Sequence, residues 1–92
     1  GGEELTVRAE APIRWITPQR YALGGPAPAR GRLVAWVDEF RASPVVVARQ
    51  GGRRIARRRL PWPAAPGRAF RIPSSMLEAV CPGAGEIVFS LE

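Results

Sequence analysis

The sequence predicts an all-β protein, an immunoglobulin/fibronectin-like two-sheet sandwich of six to seven short strands with one short helix near residues 75–80. Three observations predict it. Apolar and polar residues alternate in several short segments, the period of a strand with one buried face. Turn-forming residues recur about every 8–12 positions. The 10 prolines leave no proline-free stretch longer than residues 45–60, and an interior helical proline costs roughly 3 kcal/mol, which excludes long helices.

The first strand is read from Leu5, Val7 and Ala9 alternating with Thr6, Arg8 and Glu10. A second extended piece, residues 13–16, ends at Thr17-Pro18, because the residue before proline is pushed away from helical geometry. Residues 21–30 hold small residues and turn formers and read as a loop across the edge of the fold. In residues 31–40, Leu33, Ala35 and Val37 share one face, and Arg32, Val34, Trp36 and Asp38 share the other. After Pro44, the run Val45-Val46-Val47-Ala48-Arg49-Gln50 and a returning strand over residues 53–60 flank Gly51-Gly52, the positive-φ pair that a two-residue hairpin turn demands. Pro61-Trp62-Pro63 and Pro66-Gly67 then bend the chain into a strand over residues 68–72. Ser75-x-x-Glu78 is a capping box, predicting a helix of one or two turns that Pro82-Gly83 stops. Residues 86–92 form the last strand, with Ile87, Phe89 and Leu91 buried. Pairing of first and last strands would close the sandwich around Leu5, Val7, Leu33, Val37, Ile55, Phe70, Ile72, Leu77, Ile87 and Phe89.

Ninety-two residues make one domain, residues 1–92, with too little chain for a second core. His, Lys and Asn are absent and Cys81 is alone, so His-centred acid–base catalysis and Cys/His metal sites have no residues to build them. No catalytic, cofactor-binding or metal-ligating residue is expected, and the chain alone is not expected to be an enzyme. The formal charge is +6, and all 14 basic residues are arginines. A GC-rich bacterial codon supply accounts for arginine in place of lysine. An anionic partner recognised by bidentate contacts is the other account. No apolar run approaches the roughly 20 residues of a membrane span, and the first residues lack the parts of a signal peptide, so a cytoplasmic location without membrane contact is expected.

The densest charged feature is the hairpin bearing Arg49, Arg53, Arg54, Arg57, Arg58 and Arg59, the candidate anion-binding residues. Strict alternation puts Arg57 and Arg59 with Ile55 and puts Arg54 and Arg58 with Ala56 and Leu60, splitting the charge between faces unless a bulge shifts the register. Trp15 and Trp36 are types common in cores. Trp36, however, falls opposite Leu33, Ala35 and Val37, so Trp36, Val34 and Arg32 form a candidate interface patch with Trp62. Trp62, between two prolines, suits either a lid over the sandwich or an anchor presented to a neighbour. Cys81 is expected to be buried and inert. Asp38 and Glu39, adjacent on a strand, diverge and make no carboxylate pair. Gly24-Gly25 and Gly51-Gly52 precede no helix and are not phosphate loops.

Three segments together carry a resemblance: Ile13-Arg14-Trp15-Ile16-Thr17-Pro18-Gln19-Arg20, Gln50-Gly51-Gly52-Arg53, and Arg59-Leu60-Pro61-Trp62-Pro63-Ala64-Ala65-Pro66-Gly67-Arg68 running into Ile72-Pro73. The chain resembles the small C-terminal β-domain of bacterial FAD-dependent, NAD(P)-linked oxidoreductases of the pyridine nucleotide-disulfide class. The resemblance implies a fragment of a larger flavoprotein whose FAD and NAD(P) sites lie in an upstream region. The glycine fingerprints and redox cysteine pair of that class have no counterpart here, so it implies no catalytic residue. The expected function is a non-catalytic accessory domain contacting the flavoprotein domain or a partner chain through Trp36, Trp62 and the arginine hairpin. The alternative is an arginine-rich module that binds nucleic acid or another polyanion.

Overall fold

The computed structural model describes residues 3–23 and 32–92. Residues 24–30 of the loop expected over 21–30, with Gly24-Gly25, and the start of the strand expected at Gly31 lie outside the described residues. Among the described residues eight strands follow in order: β1 (Glu4–Ala9), β2 (Ile13–Thr17), β3 (Arg20–Ala22), β4 (Arg32–Val37), β5 (Val45–Gln50), β6 (Arg53–Arg59), β7 (Phe70–Pro73) and β8 (Ile87–Leu91). They form a five-stranded sheet in the order β3-β1-β8-β5-β6 and a three-stranded sheet in the order β2-β4-β7. The all-β, two-sheet architecture is as expected. In the immunoglobulin arrangement the last two strands are neighbours in one sheet. Here β7 and β8 lie in different sheets.

The first and last strands pair, in parallel, with Val7 beside Ile87 and Ala9 beside Phe89. One core fills the space between the sheets, drawing Leu5, Val7, Val46, Ala48, Ile87 and Phe89 from the larger and Ile13, Ile16, Leu33, Ala35, Phe70 and Ile72 from the smaller. The core residues expected from alternation are buried except Ile55 and Leu91, which are half-buried. Leu60, Ala64, Met76 and Val80, from the segments between strands, complete it.

Two bulges break the alternation. In β2, Ile13 opposes Val37 but Trp15 opposes Trp36, so Arg14 is extra. This reverses the phase: Ile13 and Ile16 both point inward, and Trp15, 40% exposed, points out. The expectation of a core Trp15 is thereby corrected. In the hairpin, Ala48 opposes Ala56 while Arg49 opposes Arg54, leaving Ile55 unpaired.

Other expectations also change. Arg20 to Ala22, read as loop, add β3 to β1, with Tyr21 beside Leu5. The expected strand over residues 31–40 ends at Val37: the Asp38 N–H still donates to the Pro12 carbonyl (2.8 Å), but the chain bends at Asp38 and Glu39. The expected helix is a 3-10 turn, Ser74–Leu77, that buries Met76 and Leu77. Its capping box does not close, since the Ser75 hydroxyl meets the Arg58 guanidinium at 2.6 Å instead. The Glu78 N–H donates to the Ser75 carbonyl (3.2 Å).

Candidate functional site

The outer face of the smaller sheet is built by alternation on three strands. Leu33, Ala35 and Val37 are buried, so Arg32, Val34 and Trp36 turn outward on β4. On β7, Phe70 and Ile72 are buried, and Arg71 and Pro73 pair beside Val34 and Arg32. On β2 the bulge delivers Trp15 beside Trp36 and Thr17 beside Val34. The two indoles stack with centroids 5.9 Å apart and planes inclined by 17°.

Trp62 joins the same face from the bend after β6. Its Nε1–H donates to the Arg71 carbonyl at 2.9 Å, and the Arg71 guanidinium carbon sits 5.4 Å from the indole centroid. Pro61 and Pro63 restrict the backbone on either side. Trp62 is half-buried against the core, so it covers part of the sandwich while presenting an edge outward. Arg32, Trp62, Arg71 and Pro73 line a hollow of about 230 Å³. All four interface residues read from the sequence, Arg32, Val34, Trp36 and Trp62, therefore lie on one face. Trp15 and Arg71 belong with them. Arg71 was legible as the residue opposite Phe70 and Ile72, whereas Trp15 was hidden by the bulge.

The strands of this face carry no acid. No Asp or Glu occurs in β2, β4 or β7. Among the described residues, neither Arg32 nor Arg71 has a carboxylate within ion-pair distance. On the larger sheet, Arg8 meets Glu86 (2.9 Å), Arg20 meets Glu4 (2.8 Å) and Arg57 meets Glu92 (2.7 Å), while Arg49, Arg53, Arg54, Arg58 and Arg59 meet no carboxylate among the described residues.

The hairpin arginines are rearranged by the Ile55 bulge. Arg54 now pairs with Arg49, Arg57 with Val47 and Arg59 with Val45, so Arg49, Arg54, Arg57 and Arg59 share the outer face of the larger sheet. The expected split is corrected: Arg54 joins Arg57 and Arg59. Arg53 and Arg58 lie on the other side, opposite Gln50 and Val46. Val45 and Val47 are buried although they lie on the outer face, opposite Arg59 and Arg57, whose long aliphatic stems suit such cover. Arg49 donates to the Ser90 hydroxyl (3.0 Å), and Arg57 makes three contacts to Glu92 between 2.7 and 3.1 Å.

These contacts set the one carboxylate shift on this face. The Arg57 hydrogen bond holds Glu92 below the ordinary value near 4.5 against the opposing effect of desolvation, with the charges of Arg57, Arg54 and Arg49 adding to the lowering. A depressed folded-state value stabilises the fold above the unfolded value, and that contribution is lost as pH falls through the folded one. Wild type should therefore lose stability faster than Glu92→Gln on acidification below about pH 4.5, as checked by urea midpoints at successive pH values.

Other candidates behave differently from expectation. Cys81 is exposed rather than buried: Gln50 holds its main chain, and its thiol meets only the nearby Ala79 carbonyl (3.6 Å). Asp38 and Glu39 lie in a bend and face separate arginines, Arg14 at 3.8 Å and Arg41 at 2.8 Å. A further hollow of about 400 Å³ between β1 and β2 gathers Arg8, Arg14, Arg20, Trp15 and Gln19. Each of those arginines already has a carboxylate nearby. Among the described residues no three His, Cys, Asp or Glu side chains cluster, and no helix is long and apolar enough to cross a membrane.

No protein-family model matches the chain, and neither does any curated protein or solved structure.

Proposed function

We propose that this chain is a non-catalytic docking module whose working surface is the outer face of the three-stranded sheet. One observation carries the proposal: Trp15, Trp36 and Trp62, all the tryptophans of the sequence, converge there with Arg32 and Arg71. Tryptophan and arginine dominate the residues that supply most binding energy in protein interfaces, while carboxylates are depleted from interface centres. On the larger sheet Arg8, Arg20 and Arg57 are already paired with carboxylates, and no tryptophan accompanies its remaining arginines.

The proposed partner is another protein domain. The resemblance to the C-terminal β-domain of FAD-dependent, NAD(P)-linked oxidoreductases supplies its class, a flavoprotein domain in the same or a neighbouring chain. FAD and NAD(P) then belong to that partner.

The docking face is tested by screening small organic fragments against the isotope-labelled protein by NMR. Hits should perturb the three indole N–H signals together with Arg32 and Arg71. Hits clustered on the larger sheet, or an absence of hits, would remove the assignment. The flavoprotein attribution is tested separately: a coding region ahead of Gly1 without a dinucleotide-binding domain would end it and leave the docking face untouched.

A second proposal rests on the hairpin bulge, which brings Arg49, Arg54, Arg57 and Arg59 to one face. Such a face supports binding of nucleic acid or another polyanion. If all four neutralise phosphates on duplex DNA, log affinity should fall against log salt with a slope of about −4. Oligonucleotide titrations at two salt concentrations measure it, and absence of binding at low salt disposes of this second proposal.

A further inference from the structure

We infer that the hollow between Arg32, Trp62, Arg71 and Pro73 receives a carboxylate of an otherwise apolar peptide segment of the partner; this rests on the docking face proposed above. The chemistry follows from what the hollow contains. Two guanidiniums on neighbouring strands, at diagonal positions of the β4–β7 register, line a single depression. Among the described residues no acid answers either of them. A planar guanidinium presents paired donors that match a carboxylate, and such charge-assisted bonds are about twice as strong as neutral ones.

The depression is also prepared in advance. The Trp62 indole is fixed by its hydrogen bond to the Arg71 carbonyl and flanked by prolines, and the Arg71 guanidinium lies against that indole. Less side-chain freedom is therefore lost when an anion arrives. Around the two charges the face is apolar: Val34, Pro73 and the stacked pair Trp15 and Trp36. A polyanion would need cations repeated along its path, whereas two guanidiniums in an apolar surround suit one acidic side chain with hydrophobic neighbours. At about 230 Å³ the hollow has room for such a side chain.

The probe is a displayed library of random peptides selected against the intact protein. Selected sequences should carry an Asp or Glu flanked by apolar residues, and synthesis of the matching Asn or Gln peptide should weaken binding by about tenfold or more. Arg71→Gln and Arg32→Gln should each produce a loss of that order. Their effects should not add to that of the amide peptide, which marks a direct contact. Thermal melts of both variants, each altered at a surface position, show that the fold is kept. Selected peptides without an acid, or indifferent to both arginine substitutions, overturn the carboxylate site. Should such peptides still need Trp15, as judged by Trp15→Ala, the docking face survives alone. Selection of nothing that binds this face removes both. A single-stranded oligonucleotide whose binding requires Arg32 and Arg71 overturns the peptide in favour of nucleic acid.

Discussion

Gln50→Leu is expected to lower the stability of the protein by about 2–4 kcal/mol, because it removes three hydrogen bonds and leaves main-chain groups without partners. Gln50 ends β5 on its core-facing side and is 3% exposed. Its Nε2 donates to the carbonyls of Cys81 (2.8 Å) and Gly85 (3.1 Å), and its Oε1 accepts from the Cys81 N–H (2.8 Å). One amide thus holds both sides of the segment that links the 3-10 turn to β8. Leucine fills a similar volume with no polar atom, so the loss is of bonding rather than packing. Gln50→Glu sharpens the test. It keeps an acceptor for Cys81 but removes both donors and sets a carboxylate against two carbonyl oxygens, so it should cost at least as much. Urea denaturation measures both, and a Leu variant within about 0.5 kcal/mol of wild type would show that the clamp is inconsequential.

The second large effect separates two adjacent glycines. Gly51 and Gly52 form the hairpin turn with φ of +60° and +82°, where a side chain costs roughly 1–2 kcal/mol. Their surroundings differ. A Cβ on Gly52 meets nothing within 4 Å, whereas one on Gly51 would run into the carbonyl oxygen of Ala84. Gly52→Ala should therefore cost only the conformational strain. Gly51→Ala should cost about 1–3 kcal/mol more, since main-chain atoms must move to make room. Paired thermal melts give the difference directly. Equal losses would mean that the Ala84 segment yields freely, in conflict with the role given to Gln50.

Much of the core was legible because its strands keep a strict period of two. Leu33, Ala35 and Val37 on one side of β4, with Phe70 and Ile72 on β7, were placed from sequence alone, and with them the outward Arg32, Val34 and Trp36. What was not legible depends on one-residue insertions. Arg14 and Ile55 each shift the phase of a strand, and nothing in either residue type announces it. Trp15 and Arg54 were misplaced for that reason. The Ser75 to Glu78 signature failed differently: a local cap competes with tertiary partners, and Arg58 took the hydroxyl. Gln50 was visible in principle, as a polar residue in phase with Val46 and Ala48. Its partners, thirty residues and more along the chain, were not.

The hairpin also shapes how copies of the molecule meet one another. β6 is the outermost strand of the larger sheet, a rim with main-chain groups open to an incoming ribbon. A second copy adding there would crowd Arg53, Arg54, Arg57, Arg58 and Arg59 against the same five guanidinium-bearing side chains, and the kink at Ile55 would spoil the straight edge that fibril growth requires. The rim thus resists self-templated stacking.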